Sequence, residues 1–294
     1  MFEVRRLRLL HELRLRGTLA AVADALSYSP STISQQLAQL EKDAGVPLLE
    51  PDGRRVRLTA YGEVLAAHAA RVLDLEEAVR AELTNVQPGL TTVRVAVLQT
   101  AAQAIVPRAL TLLADRLPSL RVEIVELAPE AGLFELAART FDLVVAEQYP
   151  GHTRAHADDI DRDPLGTDPM RLAVPRGDKA EHLRDLRDRA WVMEPDGTAA
   201  RQWAVQQCRA VGFEPDVRFE LADLSAHVGL IAAGHAVGML PDLLWAGTEP
   251  PVRLVPLPGS PAREVFLATR GSSTGRPDLD AVRAALRDAF ADSA

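Results

Sequence analysis

Cysteine is almost absent. The 294 residues hold one, Cys208, which excludes an intramolecular disulfide and fits a reducing, cytoplasmic setting. Aromatic residues are scarce, at 4%. No apolar run approaches the roughly 20 residues that cross a bilayer. The N-terminal MFEVRRLRLLHELRLRG mixes charges into its apolar residues, so a signal peptide is not expected. Internal repeats, low-complexity tracts, glycine-rich phosphate loops, nucleophile elbows and paired-cysteine sites are also missing, which leaves no motif for catalysis. No cofactor is implied, and no enzyme activity. Excess positive charge is lacking too. The net charge of −8 argues against nonspecific polyanion binding by the chain as a whole.

What is present suffices for about two ordinary domains, with 47% hydrophobic residues to fill their cores. Charge is unevenly spread. Residues 1–62 carry nine Lys and Arg against seven Asp and Glu, whereas 91–294 carry 22 against 29. A near-neutral to basic head on an acidic body is compatible with a head that meets nucleic acid.

Three helices can be read in that head. Val4, Leu7, Leu9, Leu10 and Leu13 form one amphipathic stripe, and Gly17 stops it. Thr18 is an N-cap for LAAVADAL, and Ser29 caps a third helix with Pro30 at its first position. In that third helix Ile33, Leu37 and Leu40 share a narrow face that must be buried. Ser31, Gln35, Ala38 and Lys42 point the opposite way, flanked by Ser34 and Gln39. This neutral, hydrogen-bonding surface suits base edges, because Gln pairs with adenine in bidentate fashion and Ser serves any base. A short helix, a tight turn and a helix polar on one side make a helix-turn-helix. Next, LLEPDGRRVRLT places a Pro51-Asp52-Gly53 turn between short strands, with Arg54, Arg55 and Arg57 clustered on the hairpin, as in a wing that grips phosphates. A long helix from Thr59 to Asn85 follows. Its Leu65, Val72, Val79 and Val86 recur every seven residues, with Leu75 and Leu83 broadening the stripe. That pattern suits pairing with a second copy, or packing on its own domain. Gln87-Pro88-Gly89 ends it.

From Gly17 to Gly62 the order of these features resembles the LysR-type transcriptional regulators. The Gly-Thr opening, the Ala-rich second helix, Ser34 ahead of the L-x-x-L-E run ending at Glu41, the Gly45-Val46-Pro47-Leu48-Leu49 step and the Arg-rich wing carry the likeness. The resemblance implies a winged helix-turn-helix at 1–58, a dimerising linker helix and hinge at 59–90, and an α/β two-lobed effector domain at 91–294 similar to type 2 periplasmic binding proteins. Its lobes would be 91–167 with 268–294, and 168–267. It further implies DNA contacts by Pro30, Ser31, Thr32, Ser34, Gln35, Arg54 and Arg55, a homodimer assembling to a homotetramer, and an interrupted-palindrome target. Three positions depart from the family pattern: Leu49 where Phe is usual, and Pro51 and Gln35 where Arg is frequent. Gln35 should turn base preference from guanine towards adenine.

Beyond Thr92 strands alternate with helices, which predicts an α/β fold with a mainly parallel sheet. Strands are expected at VRVAVL, RVEIVEL, DLVVA, RLAVP, WVM, VRFEL, AVGML, VRLVPL and EVFLATR. Helices are expected near 103–117, 198–210, 224–234 and 278–291. Three strand-to-helix junctions would converge on the cleft: Gln99 to Ala102, Glu194 to Thr198, and Ala222 to Ser225. Glu147, Gln148 and Tyr149 would edge it. The expected effector contacts are Thr100, Ala101, Gln148, Asp196, Gly197, Thr198 and Leu224, whose junctions offer backbone N–H groups to a small polar ligand. An acid at Asp196 near Glu147 disfavours an anionic effector, leaving an amine-bearing or uncharged one. His152, His156, Asp158 and Asp159 could be assembled around a metal, but their spacing fits no standard site and the segment reads as a loop. A solute-binding transport protein and an enzyme on the two-lobed fold are the competing readings.

Overall fold

The structure, a computed structural model, describes residues 1–53, 55–86, 92–151 and 159–293, and the side chains of all but 84–86 among them. Arg54, the Gln87-Pro88-Gly89 break, His152, His156 and Asp158 lie outside the described residues. The chain divides into two compact units, Met1–Val86 with Ser272–Gly275, and Gln87–Gly271 with Arg276–Ala294.

The first unit packs α1 (Val4–Arg16), α2 (Leu19–Leu26) and α3 (Pro30–Ala44) around a core of Leu7, Leu10, Leu13, Val22, Ile33, Leu37 and Leu40. The boundaries have local causes. Gly17 closes α1 and Gly45 closes α3 with φ of 74° and 72°, a left-handed conformation that costs glycine little. The Thr18 and Ser29 hydroxyls accept from the N–H groups of Ala21 and Thr32, capping α2 and α3. Strands β1 (Leu49–Asp52) and β2 (Arg55–Leu58) form an antiparallel hairpin. Glu41 at the end of the third helix holds its base, because Oε1 accepts from the N–H groups of Leu48 and Leu49 at 2.8 and 3.0 Å. The long α4 (Ala60–Val86) follows directly. It starts close under the hairpin: a Cβ on Gly62 would lie 2.2 Å from the Leu48 carbonyl oxygen, so only glycine fits.

In the second unit β3 (Thr92–Val97) runs on through α5 (Gln99–Ala104) and α6 (Val106–Arg116) to β4 (Arg121–Glu126), then α7 (Pro129–Ala137) and β5 (Leu143–Gln148). The expected single helix at 103–117 is therefore two, restarted at Val106-Pro107, where proline lacks an N–H to continue the ladder. Helix α7 was not expected.

The 15-residue β6 (Ile160–Val174) links the two lobes. Its first ten residues pair with β11 (Ala262–Arg270), and its last five pair with β9 (Gly238–Pro241) and β10 (Arg253–Pro256). Between them come β7 (Ala190–Met193), α8 (Ala199–Ala210), β8 (Asp216–Glu220) and α9 (Leu224–Ala232), and α10 (Pro277–Ser293) ends the chain.

Two expectations change here. The large sheet is mixed rather than mainly parallel: β3 is parallel to β4 and β5, but β6, β9, β10 and β11 are antiparallel to their neighbours. The two linking strands, β6 and β11, lie side by side in opposite directions, which forces this. Secondly, β11 pairs along its whole length with β5 and the first part of β6. A lobe division at 267/268 would cut that strand, and the return crossing falls near residue 261 instead. Each lobe has its own core, one around Val95, Val145, Leu267 and Leu286, the other around Leu172, Trp191, Trp203 and Val237.

Candidate DNA-reading face and effector cleft

On α3 the burial follows the helical period. Ile33, Leu37 and Leu40 are buried, whereas Pro30, Ser31, Ser34, Gln35, Ala38 and Lys42 are exposed. Thr32 is half-buried, and its hydroxyl lies 2.8 Å from the Ser29 hydroxyl, as does that of Ser31. The polar residues beside the open face are otherwise engaged. Gln36 Oε1 accepts from Arg6 Nε at 3.1 Å, and Gln39 donates to Asp43 at 3.0 Å. Asp43 also pairs with Arg6 at 2.7 Å; these hydrogen bonds, that of Gln39 first, lower its pKa. Among the serines and glutamines of this helix, Ser34 and Gln35 project with no side-chain partner among the described residues. On the hairpin Arg55 is exposed, while Arg57 pairs across the strands with Glu50 at 2.7 Å.

Between the lobes lies a cavity of about 310 Å³. Its wall includes Gln99, Thr100, Glu147, Thr198, Leu224 and Arg263. Thr100, Thr198 and Leu224 thus stand where the sequence placed them. The other expected contacts do not. Ala101 is fully buried in the core under β3, because its side chain points along the inner face of α5. Gln148 lines a separate hollow with Pro164 and Glu264, and its Oε1 accepts from Arg162 at 3.0 Å. Strand alternation explains this, since neighbouring Glu147 takes the cleft side. Asp196 and Gly197 form the exposed tip of a turn and leave the wall to Glu194, Pro195 and Thr198.

The cleft is organised around Arg263, a side chain only 3% exposed. Its Nε and Nη2 donate to Asp168 Oδ2 at 2.9 and 2.8 Å, Nη2 also donates to Thr100 Oγ1 at 2.7 Å, and Nη1 donates to Glu147 Oε2. Burial pulls the guanidinium pKa down, but Glu147, Tyr149 and Asp168 outweigh it and the net shift is upward. The charge of Arg263 is therefore consumed by two carboxylates. Burial, reinforced by Glu147, pushes the nearby Glu194 carboxyl up to about 7.

Both helix N-termini on the far wall are already served by side chains of this protein. Glu130 accepts from the Ala199 N–H at 3.4 Å, and Gln99 Oε1 accepts from the Leu224 N–H at 2.9 Å. Gln99 Nε2 donates to Asp223 Oδ1 at 2.7 Å, and that bond, with the Ser225 N–H, lowers the Asp223 pKa. The first N–H of α8 and that of α9 are thus occupied. Sequence reasoning missed Glu126, Glu130 and Arg263 as cleft residues, and placed Glu194 at a cleft junction without naming it as a contact. Among the described residues no group of three or more His, Cys, Asp or Glu could hold a metal ion.

An exposed reading helix with a wing, and a ligand-sized cleft between two lobes, define a ligand-responsive DNA-binding protein. Residues 4–63 match the bacterial regulatory helix-turn-helix protein, lysR family, and residues 88–291 match the LysR substrate binding domain, so the chain belongs to the LysR family of transcriptional regulators. It is similar to the transcriptional dual regulator GltC of Bacillus subtilis, 28% identical over 257 residues, 84% of this chain and 83% of that protein. It is 30% identical over 282 residues to a probable hydrogen peroxide-inducible genes activator of Streptomyces viridosporus, covering 92% of this chain and 88% of that one. Among solved structures, a full-length OxyR cysteine variant from Pseudomonas aeruginosa matches with a TM-score of 0.67 at 21% identity, over 99% of this chain and 95% of that chain. Full-length CbnR complexed with its target DNA matches at 0.54 and 23%, over 98% and 100%. The chain is a DNA-binding transcriptional regulator that responds to an effector.

Proposed function

We propose that Ser34 and Gln35 read base edges in the major groove while Pro30, Ser31 and Thr32 at the start of α3, and Arg54 and Arg55 on the wing, fix the helix on phosphates. The observation that carries this reading is the open, unpartnered Ser34–Gln35 surface on a helix whose other glutamines, Gln36 and Gln39, are tied down within the head. Two heads of a dimer would address an interrupted palindrome. The apolar stripe of α4 supports the dimer, since Leu75, Val79 and Leu83 are 67%, 45% and 63% exposed. Assembly to a tetramer, with the cleft's ligand biasing two arrangements of the heads, follows the same logic. The effector is a small molecule bound between the lobes, amine-bearing or uncharged. The protein acts in the cytoplasm, in accord with the absence among the described residues of any helix long and apolar enough to cross a membrane, and no catalytic role is assigned to it.

Although several relatives carry names that refer to hydrogen peroxide, this chain's own thiol does not fit such a response. Thiol oxidation needs an accessible, thiolate-prone cysteine. Cys208 is fully buried in α8, and burial, with Glu214, pushes its pKa up to about 12. Gel shift with the DNA upstream of the chain's own gene tests the proposal. Specific binding that falls steeply with salt is expected; binding that does not distinguish this DNA from unrelated duplex would defeat it.

A further inference from the structure

The cleft is built to take positive charge. Of the side chains on its wall, Glu126, Glu130, Glu147 and Glu194 are acidic and Arg263 alone is basic. That arginine is already shared between Glu147 and Asp168, so it has no charge left for a ligand. An anionic ligand would need a helix N-terminus, yet Glu130 holds the first N–H of α8 and Gln99 that of α9. No salt bridge neutralises Glu126 or Glu194 among the described residues. Apart from Gln99, Thr100 and Thr198 the remaining wall is apolar, with Leu98, Leu127, Pro129, Pro195, Ala200 and Leu224. Such a surface suits methylene groups. A metal ion is a poor fit, because no group of three or more ligating side chains among the described residues is disposed to hold one.

We propose that the effector of this regulator is an alkyl amine or alkyl guanidine without a carboxylate, its cationic end on Glu194 and Glu147 and its chain along the apolar wall. This rests on the reading of the cleft as the effector site. A free carboxylate on the ligand would face four acids and one arginine that is already paired with two carboxylates. An ordinary amino acid is therefore selected against, even one with a basic side chain.

Glu194 makes recognition pH-dependent. The groups that face it are Glu147 on β5, Arg263 on β11, Arg201 on α8 and Tyr149 beyond β5. The arginines keep their charge throughout the neutral range. Raised by burial and by Glu147 to about 7, Glu194 is mostly protonated at pH 6 and mostly ionised at pH 8. A guanidinium or alkyl ammonium ligand stays charged across that window. Affinity should then rise about tenfold from pH 6 to pH 8, the change in the ionised fraction of a single such group.

The test is calorimetric titration of the full-length protein with agmatine and cadaverine, each against its carboxylated parent, L-arginine and L-lysine. At pH 8 at least one amine should bind tenfold or more tightly than its parent. Its affinity should fall about tenfold at pH 6, and the Glu194→Gln variant should lose that pH dependence. Glu126→Gln, at an exposed position, serves should the first variant fail to fold, and should weaken the amine at pH 8. Equal or tighter binding of the amino acids or of L-glutamate, or no binding of either amine at millimolar concentration, would overturn the proposal. Gel shift on the same samples separates the two levels. Specific DNA binding with indifference to amines sinks the ligand class alone, whereas loss of specific DNA binding sinks the regulator's assigned reading face.

Discussion

Glu194 costs the fold something for being where it is. Its pKa is raised by burial and by Glu147 from 4.5 to about 7, so between those pH values the folded protein holds a proton that the unfolded chain has released. Stability from this group is therefore full below about pH 4.5, falls as pH rises to 7 and stays lowered above. Glu194→Gln should raise the melting temperature at pH 8 by several degrees, taking ~2–4 °C per kcal/mol for a domain of this size. At pH 4.5 it should change little. A melting curve with the same displacement at both pH values would show the carboxyl to be unshifted. At this scale the sequence revealed positions better than partners. Thr100 was recognised as a cleft residue, but the bond from Arg263 that occupies its hydroxyl joins residues 163 apart, and the bonds of Arg263 to Glu147 and Asp168 span 116 and 95. No local pattern encodes such distances. Asp196 was singled out by its neighbours in sequence, yet a turn carries it away from the cleft and leaves Glu194 there.

Among the elements, α4 divides its apolar stripe between two tasks. Leu65, Ala66, Ala69 and Leu73 are buried, whereas Leu75, Val79 and Leu83 are left in the open. Packing on its own domain thus holds for the first stretch of the helix, and the exposed second stretch is the one proposed to pair with another copy. The double substitution Leu75→Asp, Leu83→Asp should leave the head folded and weaken self-association at least tenfold, each buried leucine contributing about 1.5–3 kcal/mol to an interface. Sedimentation equilibrium would decide; an unchanged oligomer would place the interface elsewhere. Regular amphipathic elements were legible because their period is local. Helix α7 escaped notice because it is nine residues long and no side chain caps it, and with it went Glu130. The start of β6 reads IDRDPLGTDPM, whose charges, glycine and two prolines argue against a strand. An irregularity in register between Val265 and Phe266 lets β11 pair with it nevertheless.

At the scale of the molecule, the head and the two-lobed unit each leave a polar surface open. The head exposes a hydrogen-bonding helix face at Ser34 and Gln35, the one proposed to meet base pairs, though the chain carries a net charge of −8. The two-lobed unit offers a cleft whose acids exceed its one basic side chain. The resemblance seen in the head made the second domain's architecture predictable, but ligand class depends on how side chains from distant strands share charge, and only the folded arrangement displays that.

The most direct test of the central claim is the binding of wild type, Gln35→Ala and Arg55→Ala to every single-base variant of the operator, across salt concentrations. Gln35→Ala should erase about 1–3 kcal/mol of discrimination at one position in each half-site and leave the other positions unchanged. Arg55→Ala should weaken all sequences alike and reduce the salt slope by about one. Profiles for both variants that coincide with wild type would mean that α3 and the wing do not lie against DNA.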